Sequence, residues 1–370
     1  MSQPMRITFR YPDAKQMFLS SSERDAGGAP VQIYTIATEL AKDPGLDVFV
    51  WVDGKFRKKK VDGITLLSGR EPLLGYFQTV KRLFNKLRMM KVSRFAARGL
   101  TIFTVSTDSG TAKLIEQVLA RGGKTAYRIA SDYAITSVRD KADGSERFSN
   151  VLLRMDAIIT QTNTQQRLLK ESTGLDSLVI HSAFPASHQP VPAHKDRRYD
   201  VLWVGQCRWY KRPWIVIDLA RQFPQVRFLI IMPEFDQEMA QALKPQIGSL
   251  SNIELLDYVA PSEIQHYYDQ SRIVLNTSLF EGYPNTLNNA GQAQAAYLSL
   301  TWDADEIFAK DGVGLCSKDD INLCYEQLGH LIAHPEETEL MGQRSFEYLQ
   351  AEHNVEKVVK QYKDLVAGVQ

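Results

Sequence analysis

Three segments combine cations, an acid and glycines in patterns that suit a ligand carrying negative charge and hydroxyl groups. In Val204-Gly205-Gln206-Cys207-Arg208-Trp209-Tyr210-Lys211-Arg212-Pro213, three cations fall within five residues just ahead of a helical pattern. Cations at a helix N-terminus oppose its macrodipole, so a purely structural reason for three of them is weak. Lys and Arg placed there can balance a departing diphosphate without a metal. In Ser278-Leu279-Phe280-Glu281-Gly282-Tyr283-Pro284-Asn285-Thr286-Leu287, an acid, a glycine and a proline precede a second helical pattern. Asn285 or Thr286 can cap that helix, and the backbone N–H groups of its first turn can hold a phosphate. Glu281 stands just outside, where it can accept hydrogen bonds from sugar hydroxyls; its plainer reading is a surface loop acid. In Gly27-Gly28-Ala29-Pro30, two glycines let backbone N–H groups approach an anion, and the proline suits a first helical turn. A turn followed by a helix cap explains that segment equally well, because it is not a full dinucleotide fingerprint.

Other candidates favour bland readings. Asp303-Ala304-Asp305 has the form of an Asp-x-Asp site for Mg²⁺ or Mn²⁺, but it precedes Glu306 at an apparent helix start, where acids are favoured anyway. No metal is expected there. All seven histidines lie beyond residue 180, which excludes a histidine base from the body of the first domain. Their spacing does not suggest zinc, and His188 and His194 read as linker residues. There is no nucleophile elbow or Ser-His-Asp order. Cys207, Cys316 and Cys324 are few, odd in number and not in metal-ligand spacing, which fits a reducing compartment rather than a disulfide scaffold.

The elements that must position these segments are short apolar runs alternating with helical stretches. Strands are expected at 5–10, 47–52, 64–67, 101–105, 124–129, 157–161 and 178–180. Helices are expected at 31–41, 73–98, 111–120 and 163–172. Residues 182–200, rich in Pro, His and Ala and without periodicity, read as an interdomain linker. The alternation then restarts, with strands at 200–204, 226–232, 252–255, 272–276 and 298–301. The helices of this half are expected at 213–222, 236–246, 262–268 and 285–295, and within 321–333, 336–347 and 355–367. The βαβ alternation predicts an α/β protein of two doubly wound domains, 1–185 and 186–350, with a ligand cleft between them at the carboxyl ends of the strands. Residues 351–370 are expected to form a helix packing back toward the first domain.

A chain of 370 residues suits two domains, and 44% hydrophobic with 24% charged residues is ordinary for a globular enzyme. No apolar run approaches the ~18–20 residues of a membrane span, and MSQPMRITFR lacks signal-peptide architecture. The net charge of +1 conceals a cancellation: residues 1–180 hold 28 basic and 18 acidic side chains, residues 181–370 hold 16 and 25. No nucleic-acid recognition module is present.

From residue 201 to 316 the chain resembles the retaining GT-B glycosyltransferases, especially the large family-four group that builds bacterial surface polysaccharides and glycolipids. The matching segments are VLWVGQCRWYKRP, VRFLIIMP, NIELLDYVAPSEIQHYYDQSRIVLNTS and LFEGYPNTLNNAGQAQAAYLSLTWDADEIFAKDGVGLC, in the family's order and spacing. GGAPVQIYTIATELAK and DAIITQTNTQQRLLKESTG match more loosely in the first domain. The resemblance implies the GT-B fold, two Rossmann-like domains facing a central cleft, with the nucleotide-sugar donor on the C-terminal one and the acceptor on the N-terminal one. It assigns Lys211 to the donor diphosphate. The family usually has Arg directly after the glycine; here that position is Gln206, and Arg208 stands in two residues later. Glu281 matches the first acid of the family's Glu–seven residues–Glu motif, which contacts the donor sugar. Gly282, Tyr283 and Pro284 continue that loop, and the backbone of Asn285 and Thr286 would hold the phosphates. The second acid, a ribose ligand, falls at Asn289, which keeps a hydrogen bond but loses charge assistance worth about 1 kcal/mol. Gly27, Gly28, Gly205 and Tyr258 complete the implied donor contacts. The catalytic-domain histidine of many relatives is missing; its nearest counterpart is Ala130-Ser131-Asp132, which makes Asp132 the acceptor-side candidate.

The implied activity is metal-independent transfer of a sugar, with retention, from a nucleotide diphosphate donor of UDP or GDP type to a saccharide or lipid-linked acceptor. Gln206, Asn289 and the missing histidine leave two alternatives: a weakly active or non-catalytic partner subunit of a polysaccharide assembly complex, or a nucleotide-sugar epimerase. Residues 72–107 contain no acid but seven basic residues, and Leu73, Phe77, Val80, Phe84 and Leu87 form an apolar stripe at helical spacing. Lys55, Arg57, Lys58, Lys59 and Lys60 add a second basic cluster. Such a helix can lie on an anionic membrane surface, although its stripe can equally pack into the core. The expectation is a cytoplasmic protein, peripheral on the inner membrane.

Overall fold

The computed structural model describes residues 4–12, 14, 17–18, 28–54, 59–70, 78–104, 107–139, 146–185 and 190–369. The chain divides into two units, Met1–Pro185 with Val355–Gln370, and Ala186–Asn354. Gly27, the basic residues Lys55, Arg57 and Lys58, the stripe residues Leu73 and Phe77, and His188 lie outside the described residues.

The first unit is built on eight strands: β1 (Met5–Arg10), β2 (Leu46–Val52), β3 (Lys59–Val61), β4 (Ile64–Ser68), β5 (Leu100–Thr104), β6 (Lys124–Arg128), β7 (Ala157–Thr160) and β8 (Leu178–Val179). They lie in the order β3-β4-β2-β1-β5-β6-β7-β8. All neighbours are parallel except β3 and β4. The central strands β1, β2, β5 and β6 are largely buried on both faces, as a parallel sheet under helices must be, while the edge strands β3 and β8 are not. In β2, Val48, Val50 and Val52 enter one core while Phe49 and Trp51 enter the other, the two-residue period of a strand. The last helix, Val355–Gly368, buries Val358, Val359, Tyr362, Leu365 and Val366 in the core of this unit, and Tyr362 meets Phe9 edge-on at 6.0 Å.

The second unit has six parallel strands: β9 (Tyr199–Val204), β10 (Phe228–Ile231), β11 (Ile253–Leu256), β12 (Ser271–Asn276), β13 (Ala296–Ser299) and β14 (Gly314–Cys316). Their order, β11-β10-β9-β12-β13-β14, is that of a doubly wound nucleotide-binding sheet. Phe228 and Ile230 face one core, Leu229 and Ile231 the other.

Most expected elements lie within a few residues of their predicted positions. The strands β3 and β14 and the helices Asp132–Arg139 and Glu146–Leu152 escape a periodicity reading because they are short or polar. The helix predicted over 73–98 is described over Gln78–Ala96.

The stretch 182–200 is not a plain linker. Ser182 and Ala183 are buried in the first unit, and His194 and Arg197 are buried in the second. The Arg197 guanidinium donates to the carbonyl oxygens of Ser271 (2.8 Å), Ala293 (2.8 Å) and Gln294 (3.2 Å), stitching the segment before β9 to the ends of two other elements. His194 accepts Arg272 Nε on its carbonyl at 2.9 Å. Burial, with Arg197 and Arg272 nearby, pushes its imidazole down to about 4, so it is a neutral core residue. Composition alone hides this, because one buried Arg and one buried His have no periodic signature.

Candidate functional site

The strand order of the second unit reverses between β9 and β12, so the loops leaving their carboxyl ends emerge side by side. These are the two loops singled out by their charges. The backbone joins them: Leu279 N–H donates to the Tyr210 carbonyl at 2.7 Å, and the Thr277 hydroxyl to the Lys211 carbonyl at 2.6 Å. The Trp203 indole in turn donates to the Thr277 hydroxyl at 2.8 Å. Gly205 passes so close to Trp203 that a Cβ there would lie 2.9 Å from the indole.

This geometry brings Lys211 and Glu281 together, seventy residues apart in sequence, with Nζ 2.5 Å from Oε1. Both side chains remain partly open to solvent. Lys211 ends the short turn Trp209–Lys211, after which Arg212 takes left-handed φ 51°. Arg212 is committed to structure: its guanidinium binds the Thr277 carbonyl (2.6 Å), the Thr301 hydroxyl (2.5 Å) and the Asp319 carboxylate (2.5 Å). Of the three clustered cations, then, Arg212 clamps the loops, while Lys211 pairs with Glu281 and Arg208 keeps to its own loop and Phe235. Arg208 stacks on Phe235, its Cζ 3.2 Å from the ring centroid, and Nε donates to Gln206 Oε1 at 2.9 Å. Gln206 thus orients the arginine two residues on.

Beyond Glu281 the loop is held by Trp302, Asn288 and His353, which sequence reading left unassigned, and by Tyr283, whose side chain is buried in packing. Trp302 Nε1 donates to the Gly282 carbonyl at 3.0 Å. The buried Tyr283 donates its hydroxyl to Asn288 Oδ1 at 2.9 Å, and its ring lies 4.3 Å from that of His353. Burial raises the Tyr283 hydroxyl well above its ordinary range, so it is a neutral packing residue and not a base. Pro284 occupies the N-cap of the helix Asn285–Gln292 and supplies no side-chain hydrogen bond. Asn285 and Thr286 therefore do not cap that helix; they open its first turn. The Thr286 hydroxyl pairs with Tyr297 at 2.7 Å. Gly291 lets this helix approach Pro335–Glu352, since a Cβ there would meet the Ser345 carbonyl at 2.8 Å.

Asn289 lies on the same helix. Its amide donates to Gln265 Oε1 at 2.9 Å, and Gln265 Nε2 donates to the Asn289 carbonyl (3.1 Å) and to Asp269 (2.9 Å). Burial raises the Asp269 carboxyl, with the Gln265 hydrogen bond opposing it. Tyr258 is half-buried beyond β11. Asp303 accepts the Phe308 N–H at 3.2 Å, the helix-start role that its position suggested. Among the described residues no three His, Cys, Asp or Glu are grouped so as to hold a metal ion.

Gly28 and Asp132 belong to the first unit. Gly28 is the exposed first residue of the helix Gly28–Leu40. Asp132 opens the helix Asp132–Arg139 after β6 and accepts Gln165 Nε2 at 2.9 Å. Nearby, the buried Arg128 donates to Gln161 Oε1 at 2.8 Å.

Residues 211–364 match a family model described as glycosyl transferase-like. No curated protein matches the chain by sequence. Among solved structures it is similar to sucrose-phosphate synthase of Thermosynechococcus elongatus (TM-score 0.77, 13% identity, 98% of each chain). HepE of Anabaena, in complex with UDP and glucose, has TM-score 0.72 at 13% identity, over 98% of this chain and 100% of that one. Trehalose-6-phosphate synthase OtsA has TM-score 0.73 at 11% identity, over 99% of each. The α/β architecture expected from the alternation of elements is therefore the GT-B glycosyltransferase fold.

Proposed function

We propose that this protein is a retaining glycosyltransferase that moves a sugar from a nucleotide diphosphate donor to a saccharide or lipid-linked acceptor in bacterial surface polysaccharide assembly. The observation that carries the reading is the Lys211–Glu281 pair at the reversal point of the second sheet. Lys211 and Arg208 balance the leaving diphosphate in place of a metal, with the N-terminal dipole of Asn285–Gln292 adding to them. Glu281 accepts hydrogen bonds from the donor sugar, and Asn289 with Gln265 takes the ribose hydroxyls. The departing phosphate itself deprotonates the acceptor hydroxyl, and Asp132 orients the acceptor. HepE, of the same fold, is described with UDP and glucose, which makes UDP-glucose the first donor to try. Thermal shift with UDP-, GDP-, ADP- and CMP-sugars, followed by transfer and hydrolysis assays, tests this. One nucleotide class should raise the melting temperature, through roughly 2.7 kcal/mol of added stability at a hundredfold excess over Kd. A protein that responds to no donor and turns none over is instead a partner subunit, and a mass-neutral sugar product marks an epimerase.

We further propose that the first unit rests on an anionic membrane surface. No helix among the described residues is long and apolar enough to cross a membrane. In Gln78–Ala96, however, Met89, Ser93 and Ala96 face the core, while Leu83 (59%), Phe84 (62%), Leu87 (48%) and Met90 (37%) stay exposed. Phe84 and Leu87 of the expected stripe are thus not packed inside. Exposed Arg82, Lys86, Lys91 and Arg94 surround them. Each basic residue near an anionic surface contributes about 1 kcal/mol. Sedimentation with phosphatidylserine vesicles should show binding that weakens as salt is added and drops when Leu83 and Phe84 become serine. An absence of binding at low salt refutes the membrane role.

A further inference from the structure

Beside the Lys211–Glu281 pair, three aromatic rings form one surface. Tyr210 and Phe280 stack at 5.2 Å and 15°. Trp209 stands edge-on to both, 5.9 Å from Tyr210 and 5.8 Å from Phe280. Cations back the cluster, with Lys211 Nζ 5.6 Å and Arg208 Cζ 5.8 Å from the Tyr210 centroid. Trp209 itself is 58% exposed. A single exposed apolar residue needs no explanation. An indole held by two neighbouring rings, one of them Phe280 next to Glu281 in the chain, and in a loop pinned by the Leu279–Tyr210 backbone bond, does.

One face of a hexopyranose is a patch of weakly polarised C–H bonds, which packs on the electron-rich face of an aromatic ring, while the hydroxyls at its rim need polar acceptors. Trp209 offers the first partner and Glu281 the second. We propose that Trp209, buttressed by Phe280 and Tyr210, is a stacking platform for a hexopyranose ring. This rests on reading Lys211–Glu281 as the donor site. The platform adjoins Glu281, ahead of the helix Asn285–Gln292, whereas the Asn289–Gln265 pair assigned to the ribose lies further along that helix. A sugar ring, not a nucleobase, therefore meets it. That ring is either the transferred sugar of the donor or the terminal sugar of the acceptor.

Titrating the whole protein and its Trp209→Ala and Trp209→Phe variants with UDP, UDP-glucose and methyl α-glucoside separates these sources. Because the indole is largely exposed, both variants should melt with the wild type. Trp209→Ala should bind UDP as the wild type does. If the ring belongs to the donor, it should lose about tenfold in affinity for UDP-glucose; if to the acceptor, the same loss appears with methyl α-glucoside. Trp209→Phe should keep most of the affinity. Equal loss with UDP overturns the proposal in favour of a base contact. Unchanged affinity for both sugars overturns it outright, as does a wild type that binds neither. A wild type that binds methyl α-glucoside through Trp209 but not UDP keeps the platform while removing the donor reading.

Discussion

Replacing Lys211 by alanine lowers turnover about a hundred- to a thousandfold, the loss expected when one preorganised charge is removed from a developing anion. The effect has two parts. The diphosphate loses its nearest cation, and Glu281, left without its 2.5 Å partner, presents a bare carboxylate to it. The variant folds as the wild type does, because Lys211 is partly solvated and the loop is held by Arg212, Thr277 and Trp203. The double variant Lys211→Ala with Glu281→Gln recovers part of the loss, since the repulsion disappears while the missing attraction remains. Rates with the donor identified in the thermal-shift panel, measured alongside melting temperatures, check this. Near-wild-type turnover in Lys211→Ala removes the diphosphate role.

Arg197→Ala destabilises the second unit by about 3 kcal/mol, the cost of leaving several buried carbonyl groups short of a donor. The side chain is buried and bonds four carbonyls, that of Pro192 just before it and three from two distant stretches of chain. Burial lowers its guanidinium to about 10, so it still carries its charge at neutral pH. Ala293 is the C-cap of Asn285–Gln292, and a cation there also complements the negative end of that helix. For a unit of this size the melting transition should fall by about 6–12 °C, while the transition of the first unit stays in place. Arg197→Lys should recover little, because an ammonium cannot reproduce the planar fork. Calorimetry of the full chain reads both transitions, and a shift below about 2 °C removes Arg197 from the framework.

Much of the architecture was legible in the sequence because hydrophobic periodicity is local. The run Tyr199–Val204, the helix Pro213–Gln222 and the helix Ile321–Ala333 announce themselves through residues within a turn or a strand of each other. The same locality made Lys211 and Glu281 stand out, since each lies in a short loop between an apolar run and a helical pattern. Arg197, His194 and Gln265 gave no such sign. Most of their partners lie tens of residues away, and a buried polar group looks like a surface one until its neighbours are known.

By itself the sequence determined two doubly wound α/β halves, the loops that carry their charges, and a basic stretch without a counter-charge. The tertiary structure alone decided what each charged residue does. Of three neighbouring cations, Arg212 is spent on carbonyls and Asp319, Arg208 is laid on Phe235, and Lys211 meets Glu281. It also decided which apolar residues of Gln78–Ala96 and of the Trp209 loop stay in contact with water. The reason is physical: periodicity reports only which residues could be buried together along one element, whereas a side chain's role depends on which partners the packing of distant elements brings within about 3 Å of it.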